Sequence, residues 1–223
     1  MGIFSIDNAF GRFMDKVWKC IILNIIFLIC CIPIITAGPA LTALFSVLMK
    51  LVRDENVAVI KDYFEAFKRN FKQAFVIHMM LIIAAVALFL NLYYGRQLRK
   101  EYEFYKYWQY LMYVITFVYL MVLLYVYPLL AAFENTVRGT LQNALLLPIT
   151  HIWWTLLMMA VTIIPLYLCY INVNIMEWGL LIYTFGGFAG IAYIHSLIFK
   201  RIFAQYLKTN DKDEDPDENK DEE

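Results

Sequence analysis

The sequence predicts an all-α, polytopic membrane helix bundle of about six helices, and three observations predict it. The 223 residues are 62% hydrophobic and only 17% charged. A soluble domain of this size could not cover so much apolar surface with so few charges. The charges are also segregated. Uncharged runs cover 20–49, 73–95, 107–133, 139–176 and 178–199, each long enough to read as a membrane helix. Finally, Pro33, Gly38 and Pro39 break the first of these runs, so that it reads as two helices rather than one.

The first run is the ambiguous one. Cys20 to Met49 is thirty uncharged residues, about 45 Å of helix against a hydrocarbon core of roughly 30 Å. Pro33, Gly38 and Pro39 fall near its middle. Proline removes a backbone donor and disfavours helix at the residue before it, and Thr36 can satisfy a freed backbone group. The expected reading is a short, broken hairpin: one helix from about Val17 to Ile35, a second from about Pro39 to Val52. Charge distribution points the same way. If the chain returns at 33–39, fifteen Lys and Arg fall on one side and four on the other; with one uninterrupted crossing the split is twelve to seven. The positive-inside rule favours the first and places both termini in the cytoplasm. Five crossings stay open as the alternative.

Before the first run, "MGIFSIDNAFGRFMDKVWK" mixes acids and bases without an apolar core, so it is not expected to act as a cleaved signal. The four cysteines lie in apolar runs at no metal-ligand spacing and are expected to pack as small hydrophobes. Residues 1–207 are expected to form a single transmembrane domain. Residues 208–223, "KTNDKDEDPDENKDEE", hold nine acids and three lysines, and are expected to be a disordered acidic tail.

Between the first and second runs, "DYFEAFKRNFKQAF" (62–75) sets Phe64, Phe67, Phe71 and Phe75 on one helical stripe, with Lys68, Arg69 and Lys72 off it. This predicts an interfacial amphipathic helix, a surface for the lipid bilayer or a protein partner. "FKRNFKQAFVI" (67–77) also aligns without gaps to "VRGTLQNALLL" (137–147), sharing Ala74/Ala144, the outline of a parallel repeat. "EYEFYKYWQYLMY" (101–113) supplies an aromatic belt at the far edge of a span. Gly186 and Gly190 stand at GxxxG spacing, expected to serve helix packing. Asn24 and Asn91 are expected to hydrogen-bond between helices.

Chemistry-bearing patterns are sparse. The spans hold His78, His151 and His195 but no mid-membrane carboxylate of the kind coupled carriers use. No nucleophile triad, metal-ligand cluster or phosphate-binding glycine loop is found. The expectation is a non-enzyme with no catalytic, metal or cofactor-binding residues, no cofactor and no nucleic-acid partner. The oligomeric state is left open.

Four segments together resemble the YesL-like family of bacterial multi-pass membrane proteins, a domain of unknown function: "IPIITAGPALTALFSVLMKLVRDEN" (32–56), "DYFEAFKRNFKQAF" (62–75), "YPLLAAFENTVRGTLQNALLLPI" (127–149) and "SLIFKRIFAQY" (196–206). The resemblance implies a bacterial plasma membrane protein often associated with genes for carbohydrate uptake and breakdown. It implies no mechanism. The expected role is an accessory or regulatory component of a carbohydrate-uptake system. The alternatives are a self-contained small-solute transporter or channel, with the Pro33–Pro39 break lining a polar path, or a structural membrane scaffold.

Overall fold

A computed structural model describes residues 9–98 and 103–213. Eight α-helices run through these residues: α1 Ala9–Cys30, α2 Ala37–Val52, α3 Val59–Leu98, α4 Phe104–Ala132, α5 Val137–Thr150, α6 Ile152–Ile171, α7 Val173–Ile182 and α8 Phe188–Asp213. A 3-10 turn, Ile34–Thr36, leads into α2, and a π-helical segment, Tyr183–Gly187, joins α7 to α8. No strand occurs among the described residues. Five stretches are long and apolar enough to cross a membrane: Ile34–Val52, Val59–Leu98, Phe104–Ala132, Ile152–Ile171 and Ile175–Ala204. The chain is an all-α, multi-pass membrane bundle.

α2 is the hub. Thirteen of its sixteen residues are buried, because α1, α3, α4 and α8 all pack on it. An apolar helix buried all round needs no amphipathic face. The outer helices are the reverse, with exposed apolar flanks such as Ile83 and Phe89 on α3 and Trp153 and Ile164 on α6, as lipid-facing surfaces require.

α1 and α2 form an antiparallel hairpin. Lys16, in the first half of α1, reaches Asp54, two residues past α2, with Nζ and Oδ1 2.6 Å apart. The chain does turn at the prolines, but the breakpoints differ from the expected ones. α1 stops at Cys30, five residues before Ile35, and α2 opens at Ala37, two before Pro39. Gly38 is therefore helical and not part of the break. Pro39 stands in the first turn of α2, where its missing N–H has no intrahelical partner to lose. The turn itself is held by Thr36, whose hydroxyl donates to the carbonyls of Cys30 (2.6 Å) and Pro33 (2.7 Å).

The end of α2 is equally defined. Glu55 N–H bonds Lys50 O (3.1 Å) and Asp54 N–H bonds Leu51 O (3.3 Å), the paired bonds of a Schellman cap. Asp54 fills its left-handed position with φ 60°. At the same end Lys200 of α8 donates to Val52 O at 3.0 Å, and Arg201 stacks over Trp154 at the start of α6 (5.7 Å).

α3 is forty residues, about 60 Å, twice the thickness of a hydrocarbon core. The segment 62–75 is its first part rather than a separate helix lying along a surface. Neither Gly nor Pro occurs between Val59 and Tyr94 to end it. One stripe of this part, Tyr63, Ala66, Ala74 and Ile77, is buried. α8 reaches Asp213, six residues into the acidic stretch expected to be disordered; residues 214–223 lie outside the described residues, as does Tyr102 of the aromatic belt.

Candidate functional site

The turn between α1 and α2 is clamped from the side by His78. Its Nε2 donates to Ile34 O (3.1 Å), and its Nδ1 accepts from the Tyr127 hydroxyl (2.7 Å). This assignment gives each ring nitrogen a partner. One imidazole thus ties α3, α4 and the hairpin turn together. Gly38 makes the approach feasible: a Cβ there would stand 2.5 Å from His78 Cβ and 3.0 Å from Ala74 O. Small residues let membrane helices come this close. Gly38 is therefore required by packing, not by backbone conformation.

His78 is nineteen residues after Val59 and twenty before Leu98, so the hairpin turns back midway along α3. α2 spans about 24 Å and the uncharged half of α1, Cys20 to Cys30, about 16 Å. Both fall short of a 30 Å core.

A second polar node brackets the π segment. Asn24 of α1 donates to Tyr183 O (2.9 Å) and Thr184 O (2.8 Å) and accepts from Ala189 N–H (3.0 Å). A wide π turn leaves backbone groups without their usual partners, and a fully buried amide meets them. Asn24 thus makes the interhelical bonds expected of it. Asn91 does not: its side chain donates to Ala87 O within α3 (2.9 Å).

The glycines expected to serve helix packing are not where contact is tight. A Cβ on Gly186 would reach only Ile21 Cγ1, at 3.9 Å, and one on Gly190 would meet nothing within 4 Å. Both border an apolar cleft between α6 and the α7–α8 region. The close approaches fall instead at Gly179, against Cys169 Sγ, and at Gly187, where the Tyr183 ring would lie 2.9 Å from a Cβ. Spacing alone could not locate these, because each depends on which neighbour faces the glycine.

On α3 the phenylalanines form a ladder along one flank: Phe67 to Phe71 is 5.4 Å between ring centroids and Phe71 to Phe75 6.1 Å. Phe67, Phe71 and Phe75 are half-buried and Phe64 is exposed. Lys68, Arg69 and Lys72 are all exposed, on the side away from the buried stripe. Ala74 and Ala144, the identical pair of the two similar stretches, are both fully buried. Past their last aligned residue the two stretches diverge. Residues 67–77 run on into a span, whereas α5 ends at Thr150 and only His151 separates it from α6. Thr155 holds that joint, donating toward Pro148 O and meeting the Tyr125 hydroxyl at 2.7 Å.

Electrostatics concentrate at the Lys16 end. A charged cleft of about 700 Å3 is lined there by Arg12, Lys16, Lys19, Asp54 and Glu55. The Lys16 hydrogen bond holds the Asp54 carboxyl below its ordinary value, and the same contact raises the Lys16 ammonium. Among the described residues no group of three His, Cys, Asp or Glu is arranged to hold a metal.

Residues 20–92 match the family model described as "Protein of unknown function, DUF624". The resemblance to a YesL-like domain of unknown function is borne out. The matched residues run from the uncharged half of α1 through the hairpin and most of α3, the part of the bundle organised around His78 and Gly38. The chain is also similar to "Uncharacterized protein YteU" of Bacillus subtilis (strain 168), 26% identical over 126 residues, which are 56% of this chain and 55% of the relative. The chain thus spans about half the length of the curated relative it matches. No solved structure matches it.

Proposed function

We propose that this protein is an accessory or regulatory component of a bacterial carbohydrate-uptake system, a non-enzyme lodged in the plasma membrane with both termini in the cytoplasm. The observation that supports a docking role is the start of α3. Three exposed bases, Lys68, Arg69 and Lys72, stand beside a half-buried phenylalanine ladder. That pattern suits an acidic or amphipathic partner, or anionic headgroups. The carbohydrate pathway rests on the family resemblance alone. The orientation rests on the positive-inside count, which needs only that the hairpin return to the side it left.

A self-contained transporter is the second reading, favoured by a central cavity of about 410 Å3. The proline break offers it little as a polar path, since the Thr36 hydroxyl and Ile34 carbonyl are both hydrogen-bonded within the fold.

Photo-crosslinking from position 68 or 72 in native membranes, with identification of the adducts, separates the two. Recovery of a sugar permease or its ATPase is the expected result. Recovery of lipid alone, with intact protein and efficient crosslinking, overturns the accessory reading and directs the next experiment to solute flux in liposomes.

A further inference from the structure

Where α1 runs past the π segment and α8, two clefts of opposite character follow one another. The first is the charged cleft of about 700 Å3 at the Lys16 end. The second, about 650 Å3, is apolar and lies between α6, α7, α8 and the flank of α1. Their linings interleave along the same elements. Ile21 of the apolar cleft follows Lys19 of the charged one by two residues in α1. A Cβ on Gly186 would stand 3.9 Å from Ile21 Cγ1, and further along α8 Tyr193 stands beside Lys16. Gly190 of the apolar cleft and Tyr193 of the charged one, three residues apart, share a face of α8.

The change of character follows the membrane boundary. Lys19 is the last charge before the uncharged run 20–49, and Lys50 is the first after it. The charged cleft therefore sits where the apolar zone ends, and the apolar cleft extends into that zone. Trp18, exposed at the same level, is of the type that anchors at such a boundary. Leu168, Trp178, Ile182 and Ile194 line the apolar cleft and are also exposed, so it opens toward lipid chains. No charged residue is among its described lining.

The charged cleft is balanced in sign: Arg12, Lys16 and Lys19 share it with Asp15, Asp54 and Glu55. Two pairs are already made within it, Lys16 with Asp54 and Lys19 with Asp15, each at 2.6 Å. Arg12 forms no ion pair among the described residues, and Glu55 is held only by Arg53 at 3.8 Å. Arg12 acts electrostatically on Asp54, the chain neighbour of Glu55, which places both at one head group's reach. One uncommitted cation and one loosely held anion are thus left in a single cleft.

We propose that this pair of clefts binds a phospholipid with a phosphoethanolamine head. The phosphate meets Arg12, the ammonium donates to Glu55, and one acyl chain lies in the apolar cleft. A phosphatidylglycerol head brings the phosphate but no cation for Glu55. A phosphatidylcholine head brings a cation with no N–H to donate to a carboxylate. This site is independent of the α3 surface, and neither stands or falls with the other.

The test is native mass spectrometry of the full chain, delipidated in a mild detergent and titrated with dioleoyl phosphatidylethanolamine, phosphatidylcholine or phosphatidylglycerol. Saturable retention of phosphatidylethanolamine is expected, about fivefold better than of the other two. Arg12→Gln should weaken retention of all three lipids. Glu55→Gln should remove the preference for ethanolamine over choline. Gly190→Leu, whose side chain enters open space and fills the apolar cleft, should lower retention of all three with an unchanged thermal midpoint. Soluble glycerophosphoethanolamine at the same concentration should displace none of the bound lipid. Equal retention of the three lipids, a preference for phosphatidylglycerol, or displacement by the soluble head group overturns the proposal. So does unchanged retention in any of the three variants.

Discussion

Lys16 Nζ and Asp54 Oδ1 stand 2.6 Å apart, although thirty-eight residues separate them in the chain. A straight helix of that length would hold them about 57 Å apart. The pair therefore closes the α1–α2 hairpin at its open end, as Thr36 and His78 close it at the turn. It also gives that closure a pH dependence with a defined sign.

The Asp54 carboxyl is held below its ordinary value by Lys16. Its contribution is full above the unfolded value near about pH 4 and is lost as pH falls through the lowered folded value. The Lys16 ammonium is raised, so its contribution persists below about pH 10.4 and is lost only as pH rises further. The thermal midpoint of detergent-solubilised protein should thus fall between about pH 5 and about pH 3. Asp54→Asn, which still tolerates the left-handed φ of 60°, should lose that part of the acid dependence. An unchanged acid limb in Asp54→Asn would show that the pair contributes nothing measurable, as many exposed pairs do.

At the turn, Gly38→Ala forces a methyl into the His78 side chain. Overpacking of this kind costs about 1–3 kcal/mol. Gly190→Ala, which meets nothing within 4 Å, should stay within about 0.5 kcal/mol of the parent. Equilibrium unfolding in a fixed detergent reads both. Equal effects would mean that the glycine's contact environment does not set its importance.

The Asn24 bracket is open to the same measurement. Asn24→Leu is similar in size and abolishes three hydrogen bonds to the π segment. At about 0.6 kcal/mol per membrane hydrogen bond, the expected loss is about 2 kcal/mol. Faster hydrogen exchange should appear around Tyr183–Ala189 and not at the Lys16 end. Uniform loosening of the bundle would argue against a local bracket.

For the His78–Tyr127 bond, a double-mutant cycle of His78→Phe and Tyr127→Phe should return a coupling of about 0.6 kcal/mol, with about 1.7 as the upper bound for such bonds. Additive single effects would place the two side chains out of contact.

Much of the fold was legible in the sequence. The uncharged runs located the spans, and the prolines with the Lys and Arg count located the hairpin. Asn24 was legible because a lone amide in an apolar helix has few options other than another helix. The continuity of 62–75 with α3 was not legible, because charge patterning shows where a helix meets water but not whether it bends there. Gly38 resembled part of the break because proline comes next to it; its contact with His78 is a tertiary fact. Gly186 and Gly190 matched a motif whose meaning depends on how closely a facing helix approaches, and here the nearest contact is only Ile21 Cγ1, 3.9 Å from a Cβ on Gly186. The cavity was invisible for a related reason. Its polar lining comes from α3, α4, α6, α8 and the π segment, one residue from each, and only packing assembles them.

The most direct test of the central structural claim is crosslinking across the open end of the hairpin. With the four native cysteines replaced, Lys16→Cys and Asp54→Cys are introduced together and treated in native membranes with a short bis-maleimide. Digestion between the two sites then shows whether the fragments stay joined. Efficient intramolecular joining is expected, because the two side chains meet at one end of the bundle. Unjoined fragments, with both cysteines shown to be reactive, would contradict the hairpin and return the first thirty uncharged residues to a single continuous crossing.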